Sequence, residues 1–73
     1  GPLFVNKDWF VTNQESITRL RTQKSLEAAE AKFNEFVLNY TPSKKISTWY
    51  NSMITDTRSI IAEQYAKVAA VNS

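Results

Sequence analysis

Three glutamates close together in the chain are the residues best suited to acid–base chemistry or metal binding: Glu27, Glu30 and Glu35. Carboxylates act as an acid and a base only where they converge in a sheltered pocket that separates their pKa values. Here they are interspersed with Lys24 and Lys32, as on a solvated helix face. The sequence has no His and no Cys, which removes the commonest general base, metal ligand and thiolate nucleophile. We therefore expect no enzyme, no catalytic residue, no metal and no cofactor.

Basic residues form the second set with possible chemistry. Lysine and arginine neutralise phosphates, and aromatic side chains stack on bases, so a basic face next to Trp49 and Tyr50 could bind nucleic acid. The net charge of +2, from 9 basic and 7 acidic residues, is too small to predict this by itself. A solvated surface of mixed charge is the competing interpretation. The candidates for nucleic-acid binding are Arg19, Arg21, Lys24, Lys44, Lys45 and Arg58.

Length and composition limit the architecture that can position these residues. The 73 residues suffice for one domain, and one Gly with two Pro favours a few long elements over many short ones. Gly1-Pro2 resembles the remnant left by a tag-removing protease, so the domain is taken as residues 3–73. No long apolar run is present, and we expect no membrane span.

The second half of the chain carries the clearest helical pattern. Thr41 is suited to cap a helix, and Pro42 to occupy its first position, which predicts a turn at 41–43 and a helix over about 43–71. Apolar residues then recur at spacings of three and four, with Thr57 and Gln64 on the same face. They form two overlapping seams, and a stripe this wide is typical of a helix with neighbours on both sides, in a three- or four-helix bundle.

The first half is less regular. Thr12 and Glu15 match a capping box, which predicts a helix from about 13 to 40. Its apolar face changes across residues 21–25, where no apolar side chain occurs. A continuous helix is the favoured interpretation, because no Gly or Pro marks a break. The alternative is a bend at 22–25 with Ser25 capping a new helix.

Together these patterns predict an all-α fold: an antiparallel hairpin of two long helices, with position 24 beside position 58. Two helices cannot cover their own apolar faces, so something else must complete the bundle. The apolar N-terminal segments 3–5 and 9–11 could fold over the hairpin as an arm or short helix. A second copy of the chain or a foreign helix could do the same, and dimerisation is the favoured interpretation.

The function that fits this pattern is a non-catalytic module for protein interaction or oligomerisation, with a homo-oligomer or a helical protein as partner. The alternative is a small helical nucleic-acid-binding domain. The predicted protein interface consists of large apolar residues on the two long helices: Phe33, Phe36, Trp49, Tyr50, Met53, Ile54, Ile60 and Ile61.

Overall fold

The computed structural model describes residues 7–40 and 48–72, which form three packed α-helices. They are α1 (Lys7–Thr18), α2 (Gln23–Tyr40) and α3 (Thr48–Asn72). The predicted all-α class is confirmed. The predicted turn at 41–43, the start of the last helix and the apolar segment 3–5 lie outside the described residues.

The favoured continuous helix over 13–40 is wrong, because the chain breaks between Thr18 and Gln23. The last turn of α1 tightens, since the N–H groups of Arg19 and Leu20 donate to carbonyls three residues earlier, at 3.2 and 3.1 Å. Thr22 then caps α2: its Oγ1 accepts a hydrogen bond from the Ser25 N–H at 3.1 Å. The alternative bend at 22–25 was closer, although Thr22 provides the cap and not Ser25.

The predicted helix start near position 13 is also wrong, because α1 begins at Lys7 and contains Thr12 in its interior. Packing explains the difference. Phe10 is fully buried and has edge-to-face contacts with Trp49 at 6.2 Å and Tyr50 at 5.7 Å between ring centroids. The apolar segment 9–11, considered as part of an arm or short helix, thus lies in a helix that contributes to the core.

Hydrogen bonds between the helices show their directions. Gln14 Nε2 donates to Thr57 Oγ1 at 3.1 Å, and Gln64 Nε2 donates to the Leu20 carbonyl at 2.8 Å, so residue numbers rise together and α1 runs parallel to α3. The Tyr65 hydroxyl donates to Glu30 Oε1 at 3.0 Å. Phe10 contacts both Phe36, near the C-terminal end of α2, and Tyr50, near the N-terminal end of α3. These two ends therefore lie close together, and α2 is antiparallel to α3.

One apolar core joins the three helices. Phe10 and Ile17 come from α1, and the members from α2 and α3 are Leu26, Phe33, Ile54, Ile61 and Val68. Two polar side chains are buried beside them. Thr57 is fully buried but satisfied, since it accepts from Gln14 and donates to the Met53 carbonyl at 2.7 Å. Thr57 and Gln64, which interrupt the apolar seams in the sequence, therefore fix α1 and its connection against α3.

Tyr65 provides a pH-dependent contact between α2 and α3. Partial burial, together with the hydrogen bond and charge of Glu30 and the charge of Glu27, raises the pKa of the Tyr65 hydroxyl above its ordinary value of 10.0. Because this pKa is higher in the folded state than in the unfolded state, the protonated hydroxyl stabilises the fold at pH values below the unfolded-state pKa. This contribution is lost as the pH rises through the folded-state pKa.

We expect Tyr65→Phe to be less stable than the wild type at neutral pH. The difference in unfolding free energy should shrink as pH rises above 10.0. Urea unfolding of both proteins between about pH 7 and 11 measures this difference. Two curves that stay parallel across the whole range would contradict the assignment.

Candidate functional site

The eight predicted interface residues separate into two groups in the structure. Phe33, Ile54 and Ile61 are buried in the core of the chain itself, with 3, 7 and 3% of their surface exposed. Their apolar character is thus accounted for without a partner. The other five are half-buried and pack against the edge of that core: Phe36, Trp49, Tyr50, Met53 and Ile60. The interface assignment itself stays a prediction.

Three of the half-buried residues share one side of α3. At 100° per residue, Trp49, Met53, Ile60, Lys67 and Val71 fall within about 40° of one another. We call these five residues the outer stripe of α3. Its first three members retain part of their exposure after the three helices have packed, and Val71 is 83% exposed. The stripe is thus an apolar surface with one cation near its C-terminal end.

A cleft lies at that end of the bundle, where the α1–α2 connection meets α3. Its volume is about 390 Å³, and its lining is formed by Thr18, Leu20, Arg21, Gln64, Lys67, Val68 and Val71. Val68 is 6% exposed and Leu20 is half-buried, so they form an apolar floor. Arg21 and Lys67 are exposed at its border. We call this the Arg21–Lys67 cleft.

The structure redistributes the predicted basic residues. Glu30 of α2 pairs with Tyr65 of α3, and the two helices are antiparallel. Lys24 lies six residues before Glu30 and is therefore level with about position 71, six residues after Tyr65. The prediction that Lys24 lies beside Arg58 is therefore wrong, and these positions are about 20 Å apart along the axis at 1.5 Å per residue. Side-chain packing sets the register of the two helices, whereas the prediction assumed a hairpin centred at position 41.

Lys67 was missed by the sequence analysis, and it takes the place predicted for Arg58. It shares the cleft with Arg21, and Arg19 and Lys24 are exposed in and near the same α1–α2 connection. Lys44 and Lys45 lie outside the described residues. The pattern of apolar residues does not reveal Lys67, because lysine is not part of it. The sequence signal for Lys67 is its spacing, seven residues after Ile60, which itself lies seven residues after Met53. Nucleic-acid binding stays a prediction.

The three candidate carboxylates do not converge. Glu30 accepts the hydrogen bond from Tyr65, Glu27 accepts one from Gln23 Nε2 at 3.0 Å, and Glu35 is exposed. Within residues 7–40 and 48–72, no group of three or more acidic, His or Cys side chains is arranged to hold a metal ion. These glutamates hold helices together or face solvent.

A second concave surface lies on the polar side of α3. Its volume is about 330 Å³, and it is lined by Thr48, Asn51, Ser52, Thr55 and Asp56. All five side chains are exposed. The hydroxyls have no histidine to activate them, because the sequence contains none.

None of the described helices is long and apolar enough to cross a membrane. Comparisons of the chain with protein-family models, with curated proteins and with solved structures found no match.

Proposed function

We propose that this chain is a non-catalytic protein-interaction module that binds one further helix along the outer stripe of α3. The observation that carries the proposal is the exposure left on the stripe after the fold is complete. Trp49, Met53 and Ile60 remain half-buried although α1 already packs beside them, and Val71 is 83% exposed. The core needs none of this remaining surface for its own closure.

The spacing of the stripe is suited to a helical partner. Its members are separated by four, seven, seven and four residues, which is the pattern of contacts between two helices packed side by side. The stripe extends over about 33 Å of α3 at 1.5 Å per residue. A docked helix would lie against it and complete a four-helix arrangement.

Modest affinity is expected from the area available. Each half-buried side chain has already gained most of its transfer free energy, so completing the burial adds about 0.5–1 kcal/mol per residue. Val71 adds the most, because it is largely exposed. Association also has to overcome the loss of translational and rotational freedom. The proposed interaction is therefore reversible and depends on a few anchoring side chains.

Self-association belongs to the same proposal. In the predicted homodimer, a second copy supplies the docked helix, and sedimentation should show a mass that rises with concentration. A partner of opposite charge fits the surface better, because the chain has a net charge of +2 and a second copy brings the same cations.

Ile60→Asp tests the proposed surface. Ile60 is half-buried on the stripe, so the variant should keep its helical circular dichroism while binding to helical ligands weakens by about tenfold or more. The probe is a displayed library of amphipathic helical peptides selected against the immobilised wild-type chain. Selected peptides are then measured against both proteins by fluorescence anisotropy.

Ala62→Asp is the matched control, because it introduces the same charge at an exposed α3 position about 160° away from Ile60. It should bind the selected peptides as the wild type does. If selection recovers no peptide whose binding depends on Ile60, the proposed function is wrong.

A further inference from the structure

We infer that the Arg21–Lys67 cleft binds an apolar side chain of the docked helix together with a carboxylate next to it, so that the partner is an acidic amphipathic helix. This inference rests on the proposed function, since the cleft lies at the C-terminal end of the outer stripe. Lys67 and Val71 belong to both surfaces.

The apolar part of the recognition comes from the floor of the cleft. Val68 and Leu20 line it, and Val71 at its edge is 83% exposed, the largest exposed fraction among the large apolar side chains of the described residues. A volume of about 390 Å³ falls within the ~300–1,000 Å³ range of binding clefts. One apolar side chain of a partner would complete the burial of Leu20 and cover Val71.

The charged part comes from Arg21 and Lys67. Both border the cleft, and within the described parts of the chain neither forms an ion pair. Arg19 and Lys24 add positive charge in and near the same connection, and the acidic residues on the neighbouring turns are Glu15, Glu27 and Glu63. A carboxylate beside the bound apolar side chain would face two cations in a partly desolvated position, where charge complementarity selects the partner.

The cleft is fixed before any partner arrives. Gln64 is 6% exposed, and its Nε2 donates to the Leu20 carbonyl at 2.8 Å, which holds the α1–α2 connection against α3. The Leu20 backbone is therefore positioned by a part-buried hydrogen bond and not by the ligand. Such preorganisation lowers the entropic cost of binding.

An acidic protein segment fits this site better than a nucleic acid does. The phosphates of a nucleic acid offer nothing apolar to cover Leu20 and Val71, and the lining of the cleft, among the described residues, contains no aromatic side chain on which a base could stack. An acidic amphipathic helix offers both an apolar and an anionic group. Arg58, the fourth cation expected in a basic face, lies about 14 Å further along α3 from Lys67 at 1.5 Å per residue. Two cations that border the same cleft beside an apolar floor match one carboxylate and one apolar side chain.

The test uses three fluorescent amphipathic peptides of about 20 residues with the same apolar face. Their terminal turns carry two Glu, two Gln or two Lys. We expect the Glu peptide to bind the wild-type chain about tenfold more tightly than the Lys peptide, and the difference to shrink at about 0.5 M salt. The double variant R21E/K67E should reverse the order and prefer the Lys peptide.

The control K32E/R58E changes the net charge by the same amount at exposed positions away from the cleft, and it should keep the wild-type order. Reversing two charges can also change the stability of the fold through their interactions with helix ends and neighbouring charges. A role in stability alone would lower the melting temperature of R21E/K67E without reversing its peptide preference, and that result would overturn the inference.

The remaining outcomes separate the two proposals. Equal binding of all three peptides, lost in Ile60→Asp, would overturn the inference and leave the proposed function standing. Binding of none of them would contradict both. A labelled DNA or RNA oligonucleotide that displaces the Glu peptide and requires Arg21 and Lys67 would overturn the inference in favour of nucleic-acid binding. If sedimentation gives the mass of a dimer, and dimer formation prevents binding of the Glu peptide, the inference would be overturned in favour of self-association.

Discussion

Phe10→Ala should destabilise the fold by about 3–5 kcal/mol, since the ring is fully buried and its removal leaves a cavity in the core. Phe10 has ring contacts with Phe33 and Phe36 from α2 and with Trp49 and Tyr50 from α3. It thus joins α1 to both of the other helices at this end, beside Trp9, whose ring lies 4.2 Å from that of Phe36 between centroids. A domain of 73 residues has a total stability of roughly 4–11 kcal/mol, so the variant loses a large share of it.

Urea unfolding followed by circular dichroism measures this loss. The neighbouring substitution Val11→Ala is the control, because Val11 is 43% exposed and its truncation should change stability by only about 0.5 kcal/mol. If Phe10→Ala lowered the free energy of unfolding as little as Val11→Ala does, α1 would be dispensable for the core, contrary to the structure.

Ile61→Asp should abolish the helical fold. Ile61 is 3% exposed in the shared core, and an aspartate there would be a buried charge without a partner. Such a substitution costs more than about 4 kcal/mol, because it adds the desolvation of a carboxylate to the loss of apolar burial. The helical signal in circular dichroism should fall to that of a largely unfolded chain, whatever the state of association.

Two adjacent positions are the control for this result. Ile60→Asp and Ala62→Asp introduce the same charge one residue before and one residue after. Both should remain folded, because Ala62 is exposed and Ile60, at the edge of the core, is only partly buried, so that a carboxylate there keeps access to water. If Ile61→Asp retained full helicity, or if all three variants unfolded alike, the assignment of the core face of α3 would be wrong.

The periodicity of the second half determined α3 from the sequence. Apolar residues at three- and four-residue spacing over Thr48–Asn72 leave a helix as the only regular structure that places them on one side. The width of that face also predicted more than one neighbour, and the structure supplies two, α1 and α2. Local spacing suffices for such inferences because a helix closes its hydrogen bonds within a few residues.

The candidate sites were less accessible to sequence reasoning. Trp49 and Ile60 were predicted as interface residues together with Phe33, Ile54 and Ile61, because all five are large and apolar. Only the packing shows that the last three face inward. The Arg21–Lys67 cleft joins residues 46 positions apart, and the predicted hairpin register paired Lys24 with Arg58 instead.

The sequence alone thus determined the helical class, the helical face of α3 and the absence from the chain of histidine and cysteine chemistry. The tertiary structure decided that α1 supplies the third helix, that the chain breaks before Gln23, and which apolar side chains remain at the surface. The physical reason is that helix formation depends on neighbours within a few residues. The break, the register and the burial depend on contacts such as Gln14 with Thr57 and Glu30 with Tyr65, which join residues far apart in the chain.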